Sequence, residues 1–176
     1  MFLRLERITR LGALGEQLAA GSLRSAGFDY VVDLNEQRRN YPFADLLAER
    51  NGKRYLVGVK TRNEMRQGDI GLNASYNLVL INDAANKELK RQGLSVDEIT
   101  ARLLAQVHEL ASQHDAKAAW ITVAVRPRKA EYSAYFGLVS DLGNRRSVPM
   151  TERARANYMC IADCVVDPRI TADLKN

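Results

Sequence analysis

The chain predicts an α/β domain in which a mixed β-sheet carries a β-hairpin at its centre and helices on its flanks. Three observations carry that reading. The run FADLLAERNGKRYLVGVKTR, Phe43 to Arg62, sets two stretches of strand character around Asn51-Gly52, the pair best able to supply the two positive φ angles of a type I′ turn. Ser95 followed by Glu98 is a capping box, after which Ile99, Leu103, Val107 and Leu110 repeat at helical spacing. Ala118 to Val125, AAWITVAV, is apolar and β-rich, as a central strand covered on both faces must be. The order helix, strand, hairpin, helix, strand in 176 residues makes a single domain, 1–176, long enough to bury one substantial core.

The Asn-Gly turn fixes the hairpin register. Arg50 pairs with Lys53, Glu49 with Arg54, Leu47 with Leu56 and Asp45 with Gly58. Strand side chains alternate, so Asp45, Gly58 and Lys60 share one face, while Ala44, Leu46, Ala48, Tyr55, Val57 and Val59 line an apolar face that belongs to the core. Opposed Cβ atoms lie roughly 5 Å apart and diagonal ones roughly 7–8 Å, which lets the Lys60 ammonium reach the point occupied by the Asp45 carboxylate. A carboxylate and a lysine thus converge beside a glycine. The same two residues also fit an ordinary cross-strand ion pair, which is common in sheets.

Taken in order, Leu11, Leu14 and Leu18 give a first helix from about Arg10 to Ser25, closed by Gly27 at its C′ position. Glu16 sits about 200° from Leu14 and Leu18, off the apolar stripe, where a solvated glutamate is ordinary. Phe28, Tyr30, Val32 and Leu34 alternate with Asp29, Asp33 and Asn35 and predict a half-buried strand with those four apolar residues inward. Asn35 to Pro42 is a polar loop carrying Arg38 and Arg39 towards the hairpin's polar face. After Lys60 the polar run to Asp69, followed by Gly71 and Asn73, is a connection bordering that face. Tyr76 to Ile81 is too short to classify by period and is taken as partly helical. A long helix follows over Val96 to Gln113. A second strand pair spans Ala118 to Val125 and Tyr132 to Val139 around the basic turn Arg126, Arg128, Lys129. Thr151 then starts a last helix running to about Cys164, with Tyr158, Ile161 and Cys164 on its apolar side.

A net charge of +5 favours a polyanionic partner, although the basic residues are spread along the chain and solubility alone accounts for such a balance. The N-terminal MFLRLERITR is broken by charge, and no apolar run approaches the ~18 residues that span a bilayer, so the expectation is a soluble cytoplasmic protein with no membrane partner. Cys160 and Cys164 have no companion ligands for a zinc site and read as two buried free thiols. His108 and His114, six apart, do not face one another on a helix.

Gly15-Glu16 on a helix, Asp45 in ADLLA on a strand, a short turn, and Val57-Gly58-Val59-Lys60-Thr61 on the next strand together resemble the core of the PD-(D/E)xK endonuclease superfamily, which includes restriction enzymes and Holliday-junction resolvases. The likeness covers about the first 62 residues by motif and the remainder by element order. It implies a restriction endonuclease-like core and phosphodiester hydrolysis on DNA with Mg²⁺ or Mn²⁺. The catalytic set it implies is Asp45, Lys60 and Glu16, the metal being held by Asp45, Glu16 and the Val59 carbonyl. Arg38, Arg39, Arg62, Arg126, Arg128 and Lys129 are the nucleic-acid contacts that go with it, and a homodimer is left open as the assembly. Gly58 departs from the pattern, standing where the family's second acid is expected. Its missing side chain suggests room for one. Glu64 and Asp69 on the following connection are substitute acids, whereas Glu49 lies about 13 Å along its strand from Asp45, too far to share an ion. A nuclease-fold domain that has lost catalysis and serves binding or assembly is the alternative reading.

Overall fold

The structure is a computed structural model and describes residues 2–35, 43–63, 75–79 and 84–165. Arg38, Arg39, Glu64 and Asp69 lie outside the described residues.

The first helix, α1, runs Phe2–Ser25, longer at its start than the leucine spacing predicted. It ends in a Schellman motif. Gly27, at φ 82°, donates its N–H to the Arg24 carbonyl, and Phe28 donates to Leu23, so carbonyls left open at the helix end are satisfied. Within the strand that follows, β1 (Tyr30–Asp33), Val31 is buried and Tyr30 is 52% exposed, the reverse of the expectation, while Phe28 and Leu34 just outside it are buried as expected. Phe28 belongs to the helix-end turn rather than to the strand, so its burial does not set the strand's parity. It packs edge-on against Tyr55 and Phe136.

The hairpin forms with the predicted turn and the predicted register from Leu46 onward. Strands β2 (Leu46–Arg50) and β3 (Lys53–Asn63) meet at Asn51 (φ 52°) and Gly52 (φ 69°), with Arg50 opposite Lys53, Glu49 opposite Arg54 and Leu47 opposite Leu56. Beyond β3, Tyr76–Asn77 is a short strand, β4, rather than part of a helix. Leu78 and Val79 both donate their N–H groups to the Arg146 carbonyl, so tertiary pairing has claimed this backbone. Helices α2 (Ala84–Arg91) and α3 (Val96–Gln113) follow, and α3 carries both halves of the Ser95–Glu98 capping box.

Strands β5 (Ala116–Arg126) and β6 (Glu131–Leu138) make the second hairpin. Next come the two-residue strand β7 (Ser147–Val148), which pairs with β4, and a single turn of helix, α4 (Glu152–Arg155). The helix predicted from Thr151 to Cys164 begins there, capped by the Thr151 hydroxyl, but stops after four residues. Met159–Val165 is instead strand β8, antiparallel to β6. Without β8 the far side of β6 would be an unpaired edge, and satisfying its hydrogen-bonding groups outweighs the apolar spacing that suggested a helix. Cys160 and Cys164 are exposed, not buried, because they lie on this outermost strand.

The sheet is mixed and six-stranded, in the order β1-β2-β3-β5-β6-β8, with β3 and β5 parallel and the other neighbours antiparallel. Two cores result. One, under α1, joins Leu14 and Leu23 to Leu46, Val57, Ile121 and Phe136. The other joins Leu104 and Val107 of α3 to Leu56, Trp120, Tyr76 and Met150. Ala44 was expected beside Leu46 in the first core and packs in the second. Phe43, at φ 65°, turns the chain from one face to the other just before β2.

Candidate functional site

The site lies where β2 separates from β3. Regular pairing ends at Leu46 opposite Val57, so Asp45 does not stand squarely opposite Gly58 as expected. Its main chain is nevertheless fixed on both sides: the N–H donates to the Val57 carbonyl (2.9 Å) and the carbonyl accepts from Leu34 (2.9 Å). The side chain then does what the ladder no longer does. Asp45 Oδ2 accepts the Val59 N–H at 2.6 Å. Because the N–H and C=O of one strand residue point the same way, the Val59 carbonyl faces this opening too.

Glu16 arrives from α1 through a close approach of the helix backbone to the Thr61 side chain. A Cβ on Gly15 would lie 1.7 Å from Thr61 Oγ1, so only glycine lets the helix rest on β3 at this level. The next residue is thereby held beside the Asp45 end of the sheet, half-buried rather than solvated. Asn35 joins the two: its side-chain N–H lies 3.5 Å from Glu16 Oε2, it hydrogen-bonds Asp45, and its own backbone N–H donates to Asp33 Oδ1 at 2.8 Å.

Electrostatics record the crowding. Burial pushes the Asp45 carboxyl above the ordinary carboxylate range, against the Val59 N–H, the Lys60 charge and Asn35, which favour ionisation; Asp33 adds a smaller upward push. Glu16 is raised as well, first by burial and then by the charges of Asp45 and Asp33. Lys60 and Asn35 oppose that rise. Lys60 acts on both carboxylates without closing an ion pair within 4.0 Å on either, so the expectation of a plain cross-strand pair is not met.

Asp33 and Asn35 are members of this cluster that the sequence did not single out. They are polar residues two apart, at the end of β1 and just beyond it, and nothing local ties that segment to the hairpin. The expected room at Gly58, by contrast, is absent. A Cβ there would lie 2.8 Å from the Phe43 carbonyl oxygen and 3.4 Å from its ring, so a glutamate cannot enter without moving backbone.

Among the described residues no three His, Cys, Asp or Glu side chains are arranged to hold a metal ion. The oxygen donors bordering the opening are the Glu16 and Asp45 carboxylates, whose charges act on one another, and by strand geometry the Val59 carbonyl. Hard donors of this kind, with one or two carboxylates and the rest of the shell from water or phosphate, suit Mg²⁺ better than a cage-binding ion. Their mutual repulsion is of the sort a cation relieves.

The basic residues divide. Arg62 donates to the Ser75 carbonyl and lies over the Tyr76 ring at 5.0 Å, tying β3 to β4. Arg126 is occupied internally by Glu131 (3.3 Å), the Ser133 hydroxyl (2.8 Å) and Asp163 (3.3 Å), which corrects its reading as a free phosphate contact. Arg128 and Lys129 are exposed in the β5–β6 turn. Lys60 pairs with Thr122, and Arg126 is four residues farther along, so that turn stands about 13 Å from the site. Among the described residues no helix is long and apolar enough to cross a membrane. No protein-family model, curated protein or solved structure matches the chain.

Proposed function

We propose that the protein is a divalent-metal-dependent nuclease with a restriction endonuclease-like core, acting on DNA phosphodiester bonds. The observation that carries this is the meeting of Glu16, Asp45 and Lys60 at the point where β2 leaves β3, with Lys60 near both carboxylates yet paired to neither. Held apart in this way, the ammonium is available to a third group, and a phosphate is the natural one. The sheet order, with a hairpin joined to a parallel strand by a helical crossover, supports the same reading.

Glu16, Asp45 and the Val59 carbonyl would hold Mg²⁺ or Mn²⁺, which when bound supplies charge to the phosphate and a lowered pKa to an attacking water. Asp45 is oriented for this by the Val59 N–H, which holds its Oδ2. Lys60 orients the water or offsets charge developing on the phosphoryl oxygens. Burial on the sheet side limits water access and strengthens both effects.

The reading is tested by calorimetric Mn²⁺ titration and by cleavage of plasmid DNA. Wild type binds the ion and cleaves, while Asp45→Ala and Lys60→Ala lose cleavage. Absence of both binding and cleavage in wild type sinks it. A non-catalytic nuclease-fold domain for nucleic-acid binding or assembly is then the better reading, and the observation favouring it is the lack of a three-acid group among the described residues.

A further inference from the structure

The segment 139–157 holds four arginines, Arg145, Arg146, Arg153 and Arg155, against two carboxylates, Asp141 and Glu152. Its backbone is anchored. Arg145 donates its N–H to the Leu142 carbonyl, Arg146 offers its carbonyl to Leu78 and Val79, and α4 is capped by Thr151. Arg145, Arg146 and Arg153 are exposed, and no ion pair joins any of the four to a carboxylate among the described residues. Arg145 and Arg146 border an open groove of about 530 Å³ beside the start of α3.

The placement of this cluster relative to Lys60 gives it meaning. Lys60, Thr122 and Tyr135 form one row across β3, β5 and β6, and residues in such a row project to the same face. Thr122 on that row contacts Met150 of the second core, which identifies the face. The Arg155 guanidinium lies 5.9 Å from the Tyr135 ring centre. Tyr158, which lies close enough to feel the Arg145 charge, stacks edge-on against Trp120 at 4.7 Å, two residues from Thr122. Tyr135, with Arg155 beside it, therefore lies on the Lys60 face at a separation of two strands, roughly 10 Å. Nucleic acid carries a phosphate about every 3.4 Å of axis on each strand, so that distance is about three phosphates.

We propose that the Arg145, Arg146, Arg153 and Arg155 surface is where this protein holds the phosphate backbone of a nucleic acid, in place of the Arg126 to Lys129 turn. The proposal rests on the nuclease reading for its choice of polyanion. Its residues and those of the carboxylate site are separate, so the two can fail separately.

The test is fluorescence anisotropy of a labelled duplex oligonucleotide in EDTA, over a series of salt concentrations. Arg145→Gln/Arg146→Gln and Arg128→Gln/Lys129→Gln remove equal charge from the two surfaces. The first pair is expected to weaken binding at least about tenfold and to reduce the slope of log affinity against log salt by about 1.8, at about 0.9 for each phosphate no longer neutralised. The second pair is expected to leave the slope unchanged, and Arg153→Gln alone to reduce it by about 0.9. Matching thermal melts confirm that the variants are folded. Equal losses in both pairs, no loss in the first, no binding by wild type, or binding to anionic lipid vesicles but not to the oligonucleotide would each overturn the proposal. If the first pair alone loses binding while Mn²⁺ has no calorimetric effect on wild type, the surface stands and the catalytic reading falls.

Discussion

Gly15→Ala is the most informative single change, because one methyl group probes both the helix–sheet contact and the placement of Glu16. The added Cβ would lie 1.7 Å from Thr61 Oγ1, 2.6 Å from its Cβ and 2.8 Å from its Cγ2. Rotating the threonine removes the first and third clashes but not the second, since Thr61 Cβ is fixed by the β3 backbone. The helix must therefore lift. Overpacking of this kind costs about 1–3 kcal/mol, and in a domain of this size each kcal/mol is worth about 2–4 °C, so the melting temperature should fall by roughly 2–12 °C. Thr61→Gly removes all three clashing atoms. In the double variant Gly15→Ala/Thr61→Gly the penalty should be largely relieved, with a favourable coupling of at least about 1 kcal/mol in the cycle. Glu16 moves with the helix, so Mn²⁺ affinity should fall in Gly15→Ala and recover in part in the double variant. Additive melting temperatures across the cycle would refute the contact on which the site is built.

Glu16→Gln should raise the melting temperature at pH 7. A carboxyl raised in the folded state, as Glu16 is by burial and by Asp45 and Asp33, contributes stability that is fully present below its ordinary value of 4.5 and lost as pH rises through the folded one. The gain should thus vanish below about pH 4 in a pH series of melts, and a pH-independent gain would contradict it. Gly52→Ala places a side chain at φ 69° in the hairpin turn and should cost about 1–2 kcal/mol by chemical denaturation. Arg126→Ala should destabilise the β5–β6–β8 side by about 1–2 kcal/mol while leaving oligonucleotide affinity close to wild type, because its guanidinium serves Glu131, Ser133 and Asp163. Both thiols, Cys160 and Cys164, should react with Ellman's reagent without denaturant; two unreactive thiols would place β8 elsewhere than on the sheet edge.

The parts of the fold legible in the sequence are those whose cause is local. The Asn51-Gly52 turn, the Ser95–Glu98 capping box and the C′ glycine at 27 each act through backbone geometry within a few residues, and each appears where its residues stand. Two of the misreadings have distant causes. Tyr76 pairs with Val148, and Met159–Val165 pairs with β6, so their conformation was decided by partners far along the chain. In β1 the inward face was misread because Phe28 is buried from a helix-end turn, one residue frame away from the strand. At the site, Asp45, Lys60 and Glu16 could be named from their order around the hairpin. Asp33 and Asn35 could not, since their role depends on β1 lying against β2, a pairing no turn signal announces.

Gly58 shows how a local rule and a tertiary one can collide at a single residue. From the hairpin alone, glycine opposite Asp45 leaves space for the acid that the resemblance lacks. In the folded chain the space is filled by main chain: Phe43, in a left-handed conformation, carries its carbonyl to within 2.8 Å of where a Cβ would begin. That same turn moves Ala44 into the core under α3 and aims Asp45 at the Val59 N–H. The glycine and the unusual Phe43 geometry are thus two halves of one arrangement, and the opening is lined by what remains: the Asp45 and Glu16 carboxylates, Asn35 and Asp33. Asp33 of β1, on the other side of β2, adds near Glu16 and Asp45 the negative charge that position 58 does not carry.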